Sequence, residues 1–215
     1  MKKFFGICCM LFVMFLTGCN QEVITNVSLT SIQNVQADQF IRAKSFILYE
    51  VPSEKEFKRT LPLMKEIFGK YMNVTDISFK TRNLQGFGAV ECDVPICVNM
   101  ENIPFNSLFY FRVSDHKLFS TLDNMAFNEF KNELSQYFSN NMGMIPLRDI
   151  KFMIILTNDT GQDVQLTHYS CFVDGLATAF STEKTMDNNS KYIIQMSNVF
   201  VDEMETMALP ILSWK

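Results

Sequence analysis

The residues able to do chemistry in this chain are few and widely spaced. Outside the first nineteen positions there are three cysteines, Cys92, Cys97 and Cys171, and two histidines, His116 and His168. Cys92 and Cys97 bracket Asp93-Val94-Pro95-Ile96. Left extended, five steps span about 16 Å, whereas a disulfide needs Cα atoms about 5.5 Å apart, so Pro95 would have to turn the chain back. Two other arrangements stay open: Cys97 facing Cys171, or three free buried thiols. A redox-active pair has two intervening residues at a helix start, which is not the spacing here. Close-set Cys and His pairs with zinc spacing are missing too, so neither metal nor cofactor is expected.

The histidines fare no better as catalysts. His116, in Ser114-Asp115-His116-Lys117, reads as a polar bend, and His168 falls on the alternating face of Val164, Leu166 and Ser170. Both are expected to be surface or hydrogen-bonded structural histidines. No nucleophile elbow, zinc-protease helix or phosphate-cradling glycine loop is present, and Gly86-Phe87-Gly88 is only a hairpin shoulder. Asp202, Glu203 and Glu205 read as a solvated helix face rather than a catalytic pair. The expectation is a protein that is not an enzyme.

Composition excludes further classes. Apolar residues make up 47% and charged residues 20%, the balance of a globular chain. A formal net charge of −4 and a pI of 5.2 argue against a nucleic-acid partner. Phe and Met are abundant, which suits an adaptable hydrophobic groove and equally suits AT-rich coding. The excess of Lys over Arg favours the coding explanation.

The N-terminus carries the most specific signal. Lys2 and Lys3 precede an uncharged run from Phe4 to Leu16, thirteen residues long. A helix of that length spans about 20 Å against a hydrocarbon core of ~30 Å, so the run reads as an export signal and not a transmembrane helix. It ends in Leu16-Thr17-Gly18-Cys19, which resembles the lipobox of bacterial lipoproteins. That resemblance implies a signal peptide at residues 1–18 with Leu16, Thr17 and Gly18 read by the signal peptidase. It makes Cys19 the point of lipid attachment, carrying two or three acyl chains. Cleavage would remove Lys2 and Lys3 and take the net charge from −4 to −6. The partner so implied is the membrane, through the N-terminal lipid. Asn20 and Gln21, rather than Asp, follow the cysteine, which favours the periplasmic face of the outer membrane over the inner membrane. No Gly/Ser-rich or Pro-rich linker follows, so the folded body is expected close to the headgroups.

Glu22-Val23 through Ile32, Thr157-Asn158-Asp159-Thr160-Gly161 and Phe172-Val173-Asp174-Gly175 are similar to uncharacterised lipoproteins of enteric bacteria and their phages. This implies a small envelope lipoprotein, phage- or prophage-encoded, and assigns no site residue. Some phage lipoproteins block receptors against later infection.

The elements that must position all this show an internal match at an offset of 73. Nine of thirty-seven positions agree between residues 43–79 and 116–152, among them Phe57 with Phe130, Leu61 with Leu134, Asp76 with Asp149 and Phe79 with Phe152. Each copy reads as a strand, a helix and a hairpin. Strands are expected at Ala43 to Glu50 and Leu108 to Phe119. In the first helix, Ser53 and Glu56 form a capping box, Phe57, Leu61, Met64, Phe68 and Tyr71 make the apolar stripe, and Pro62 predicts a kink or a second start at Thr60. In the second, Asp123 is the N-cap, Phe127, Phe130, Leu134 and Tyr137 the stripe, and Gly143 the stop. The hairpins are expected at Val74 to Arg82 with Phe87 to Val94, and at Ile150 to Thr157 with Val164 to Val173. A polar loop at Thr182 to Lys191, a strand at Tyr192 to Met196 and an acidic helix at Val199 to Met207 complete the chain.

The fold class expected is therefore α+β: two related strand–helix–β-hairpin units, their antiparallel sheets each packed by a helix. The lipidated cysteine, tether and first strand would occupy residues 19–40, the first unit 41–107, and the second unit with a C-terminal extension 108–215. The function expected is a membrane-anchored envelope lipoprotein acting as a non-enzymatic module that binds another envelope protein. The alternative is a carrier of lipid or another hydrophobe in a helix–sheet groove lined by Phe57, Leu61, Met64 and Phe68.

Overall fold

A computed structural model describes residues 21–99, 101, 103, 105–137, 150–178, 181–204 and 206–215. The signal segment, Cys19, Gly143 and Asp149 lie outside these residues. Two helix-packed antiparallel sheets are not what forms. Among the described residues the structure is mostly β, 51% strand and 25% helix, and thirteen strands join one mixed sheet curled into a half-barrel.

Strand β1 (Gln21–Ser28) lies at the sheet's centre and leads through α1 (Leu29–Asn34) into β2 (Phe40–Glu50). The alternation of β1 buries Val23, Thr25 and Val27, and the Thr25 hydroxyl meets that of Ser45 at 2.7 Å, so neither is buried unpaired. Helix α2 (Glu54–Tyr71) starts where Ser53 accepts from the Glu56 N–H at 3.2 Å, and it buries Phe57, Met64, Ile67, Phe68 and Tyr71. It continues through Pro62 as one element. Thr60 does not begin a second helix; its hydroxyl donates to the carbonyls of Glu56 and Phe57.

β3 (Asn73–Arg82) and β4 (Gln85–Cys97) form the first hairpin. Asn83 and Leu84, at φ 52° and 67°, make the two-residue turn with both centres left-handed that matches strand twist. The next stretch is a second tight hairpin rather than one strand: β5 (Phe109–Ser114) turns at Asp115 and His116, φ 49° and 58°, into β6 (Lys117–Leu122). α3 (Asn124–Tyr137) follows, with Asp123 accepting from the Ala126 N–H at 3.0 Å.

The second unit departs here from the expected pattern. β7 (Ile150–Thr157) does not pair with β8 (Val164–His168). It runs parallel to β1, from Gln21 opposite Ile150 to Ser28 opposite Thr157, and pairs on its other side with β12 (Lys191–Met196). A near-continuous apolar run suits such a doubly flanked position. β9 (Cys171–Val173) and the short β10 (Leu176–Ala177) extend that side of the sheet. β8 lies instead between β11 (Thr182–Met186), a strand within the expected polar loop, and β13 (Leu209–Trp214). The acidic helix is shorter than expected, α4 (Asn198–Glu203).

The sheet changes direction at β4. One edge of β4 pairs along its length with β2, while the other is shared: β3 takes residues 85–93 and β5 takes Ile96 and Cys97 in parallel. Both expected units thus belong to one sheet and one core. Phe57 and Phe130 are both buried, but Phe130 packs on the first unit, edge-on to Phe68 at 5.2 Å and to Tyr71 at 5.7 Å.

The Cys92–Cys97 bridge is not made. β4 stays extended through Pro95, whose missing N–H costs no ladder bond to the shared edge, and an odd spacing puts the two thiols on opposite faces. Cys92, Cys97 and Cys171 are all free and buried, and burial pushes the Cys92 thiol up to about 12.

Candidate functional site

Between the sheet and helices α2 and α3 lies a cavity of about 80 Å³. β1 contributes Gln21 and Val23, β2 Ile47 and Tyr49, and α2 Met64 and Phe68. Leu108, Phe109 and Leu122 come from the β5–β6 hairpin region, Phe127, Phe130 and Leu134 from α3, and Ile150 and Phe152 from β7. Among the described residues that line it, none is charged. The Gln21 amide and Tyr49 hydroxyl are the only polar side-chain groups among them.

The lining grades from closed to open. Ten of these side chains are buried, while Gln21, Ile47, Leu134 and Ile150 are half-buried and mark the mouth. Gln21 and Ile150 sit opposite each other at the matched starts of β1 and β7. On the other face of β1, the Arg82 guanidinium forks onto the buried Glu22 carboxylate with two contacts of 3.0 Å and lies over the Phe87 ring. That fork holds the start of β1, and with it the mouth, in register. The helices are tied to each other where Lys70 pairs with Glu133, whose carboxylate also accepts from the Tyr71 hydroxyl at 2.9 Å.

Tyr49 builds the cavity's inner wall. Its ring is near-parallel to that of Phe68, centroids 6.1 Å apart, and lies against Gly88 on β4. A Cβ at position 88 would come within 2.1 Å of the ring. The buried hydroxyl has no hydrogen-bond partner, and burial raises its pKa to about 12. The glycine that reads as a hairpin shoulder is therefore the place where an aromatic ring crosses the strand, the usual meaning of an interior strand glycine.

Of the other candidate residues, Leu16, Thr17, Gly18 and Cys19 precede the described chain, with Gln21 only two residues after Cys19. His116 sits in the exposed β5–β6 turn, 6.3 Å from the buried Trp214 ring. His168 is fully buried and neither ring nitrogen has a partner, so it is not the hydrogen-bonded structural histidine expected. Burial, and next the charge of Lys184, bring its pKa down to about 4, with Asp174 opposing. Among the described residues no three His, Cys, Asp or Glu side chains are grouped so as to hold a metal ion.

The motif residues at 157–161 and 172–175 serve the fold. The buried Asn158 amide donates to the carbonyls of Gln162, Met186 and Asp187 and accepts from Thr160, knotting the end of β7 to β11. Asp159 accepts from the Ser28 hydroxyl and the Thr30 N–H at the start of α1. Asp174 and Gly175, at φ 50° and 81°, form the β9–β10 turn.

Fold and site together define a class: a curled, mixed β half-barrel with two helices closing an apolar cavity. Residues 21–215 match the model of the family described as a domain of unknown function, DUF7424, and the chain belongs to that family. No curated protein and no solved structure matches it. Among the described residues no helix is long and apolar enough to cross a membrane.

Proposed function

We propose that this protein is a non-enzymatic envelope lipoprotein, anchored through Cys19, that binds a hydrocarbon group in the cavity under α2 and α3. The observation that carries the reading is the uncharged lining of that cavity, opening beside Gln21. Its size suits the end of an alkyl chain rather than a whole lipid: about 80 Å³ is roughly half the ~150 Å³ of an apolar cavity that takes up benzene.

Two measurements test the two halves of the proposal. Cys19→Ser should leave the chain unprocessed or release it from membranes on alkaline washing; unchanged fractionation and mobility would remove the anchor. The same unlipidated chain should enhance the fluorescence of a conjugated fatty acid such as parinaric acid. Leu134→Trp, which fills the mouth, should abolish that enhancement, and an equal signal from both chains would sink cavity binding.

A second reading, that the module binds another envelope protein, draws support from the exposed Val199 and Met207 on either side of the end of α4, 72% and 54% accessible. Crosslinking in native membranes that captures no partner through either position would leave it unsupported.

A further inference from the structure

We infer that the protein pairs with a second copy of itself through the outer edge of β3, the two β3 strands running antiparallel about a twofold axis at Ser78. This pairing is independent of what fills the cavity.

An open edge is the first observation. Among the described residues, β3 pairs with β4 on one side and with no strand on the other. The two ends of the sheet's main path offer less. β10 is only two residues long. β11 is covered, its Thr185 carbonyl accepting from the Tyr192 hydroxyl at 2.6 Å and its Lys184 reaching Asp174 at 3.4 Å. β3 runs for ten residues, and its one irregularity falls between Val74 and Asp76. From Asp76 to Arg82 its outer edge is therefore regular, the length of an ordinary strand, with backbone groups free to take another strand.

The residues of β3 decide which strand that is. Set antiparallel about Ser78, Asp76 faces Lys80, Ile77 faces Phe79 and Thr75 faces Thr81, each pair occurring twice by symmetry. Asp76 and Lys80 are both exposed, and neither takes part in any ion pair among the described residues. Phe79, which packs on Phe57 at 5.7 Å, is left half-buried by one copy alone, and a partner's Ile77 beside it would complete the cover.

A lysine on an edge strand ordinarily repels a second strand. Here the twofold register gives it a carboxylate, so Lys80 selects the register instead of blocking the edge. A slip of two residues would set Asp76 against Arg82, whose guanidinium already forks onto Glu22. The matching sequence is carried by every copy of the chain, so no foreign strand is needed to supply it.

Disulfide trapping of the full-length chain in its own membranes tests the pairing. In the twofold register the two Ser78 Cα atoms lie about 4.5–5.5 Å apart, within reach of a disulfide. The two Thr81 Cα atoms are six residues apart along the strands, about 20 Å. Under a mild oxidant, Ser78→Cys should give a covalent dimer. Thr81→Cys should give no more than the unsubstituted chain, whose Cys92, Cys97 and Cys171 are buried. Adding Asp76→Lys to Ser78→Cys sets lysine against lysine twice and should bring the dimer down to the Thr81→Cys level. Adding Lys80→Asp as well reverses both charges and should restore it. None of these four positions is buried, so the fold of each copy does not rest on them. No dimer from Ser78→Cys, or equal dimer from Ser78→Cys and Thr81→Cys, overturns the inference. So does a dimer that Asp76→Lys leaves unchanged, or one that the reversed pair fails to restore.

Discussion

Acidification should weaken this fold through one side chain above all. His168 has no exposed surface, faces Thr182 of β11 and Leu212 of β13 in register, and leaves both ring nitrogens without partners. Its pKa falls from 6.5 to about 4 through burial first, then the like charge of Lys184, with Asp174 acting the other way. The folded chain therefore keeps the imidazole neutral at pH values where the unfolded chain has taken up a proton. The stability at stake is fully present above pH 6.5, declines as pH falls below that value, and is exhausted once pH passes below about 4. At about 1.4 kcal/mol per pKa unit, the total is roughly 3 kcal/mol, of which about 2 is lost by pH 5.

Urea unfolding of the full chain between about pH 7.5 and 4.5, beside the variant His168→Leu, isolates this contribution. Other acid-sensitive groups remain in both proteins. Asp159, for example, is held below its usual range despite desolvation, by hydrogen bonds from Ser28 and Thr30. The difference between the two chains should shift by about 2 kcal/mol in favour of Leu between pH 7 and pH 5. Parallel pH profiles would refute the reasoning, because a histidine that charges freely in the folded state is not enclosed between β11 and β13.

Three further perturbations address the site and its supports. Gly88→Ala places a methyl group within 2.1 Å of the Tyr49 ring and should cost about 1–3 kcal/mol or more; chemical denaturation in a Tyr49→Ala background should show most of that cost gone, and an undiminished cost would mean the clash is not with Tyr49. Phe130→Ala removes the ring shared by Phe68 and Tyr71 and should cost about 3–5 kcal/mol, against a few tenths if α3 were only loosely docked. Asn158→Ala removes a buried amide that three carbonyls share, of which those of Gln162 and Asp187 keep the Thr160 hydroxyl and Ser190 as donors, an expected loss of about 1–3 kcal/mol, accompanied by faster amide exchange at Asn188 and Asn189 than at β1.

What could be read from the residues alone was local. The β3–β4 hairpin is written in Asn83 at a left-handed position, the start of α2 in Ser53 and Glu56, and the start of α3 in Asp123, because each depends on neighbours within four residues. The β5–β6 turn was visible as a polar interruption at Ser114 to Lys117, though not as the two-residue turn that breaks the expected strand. The C-terminal segment Leu209–Trp214 joins the sheet and buries Trp214. The cavity was only half legible. Met64 and Phe68 stand out as part of a helical stripe, but Tyr49, Leu122 and Phe152 lie on strands far apart in sequence. The one local signal for the inner wall was Gly88, a glycine set between Phe87 and Ala89 in the strand interior.

The expected second hairpin failed for a reason that no local pattern contains. Ile150 to Thr157 is a near-continuous apolar run, Val164 to His168 alternates, and the two flank a turn-like Asn-Asp-Thr-Gly, which satisfies the local conditions for pairing. Pairing, however, is a competition for edges. β1 has β2 along one side, and its other side would be an exposed row of unpaired backbone groups unless another strand took it. β7 fills that side in register over all eight residues of β1. β8 is then free to join β11 and β13, and Asn158 spends its amide on the carbonyls of the β11 end instead of closing a two-strand turn. The same exchange creates the site: with β7 beside β1, Ile150 and Phe152 stand next to Gln21 and Val23, and residues of both expected units converge on one apolar cavity. Had β7 folded back onto β8, Ile150 and Phe152 would have been carried away from β1, and this mouth would have lost the residue that faces Gln21.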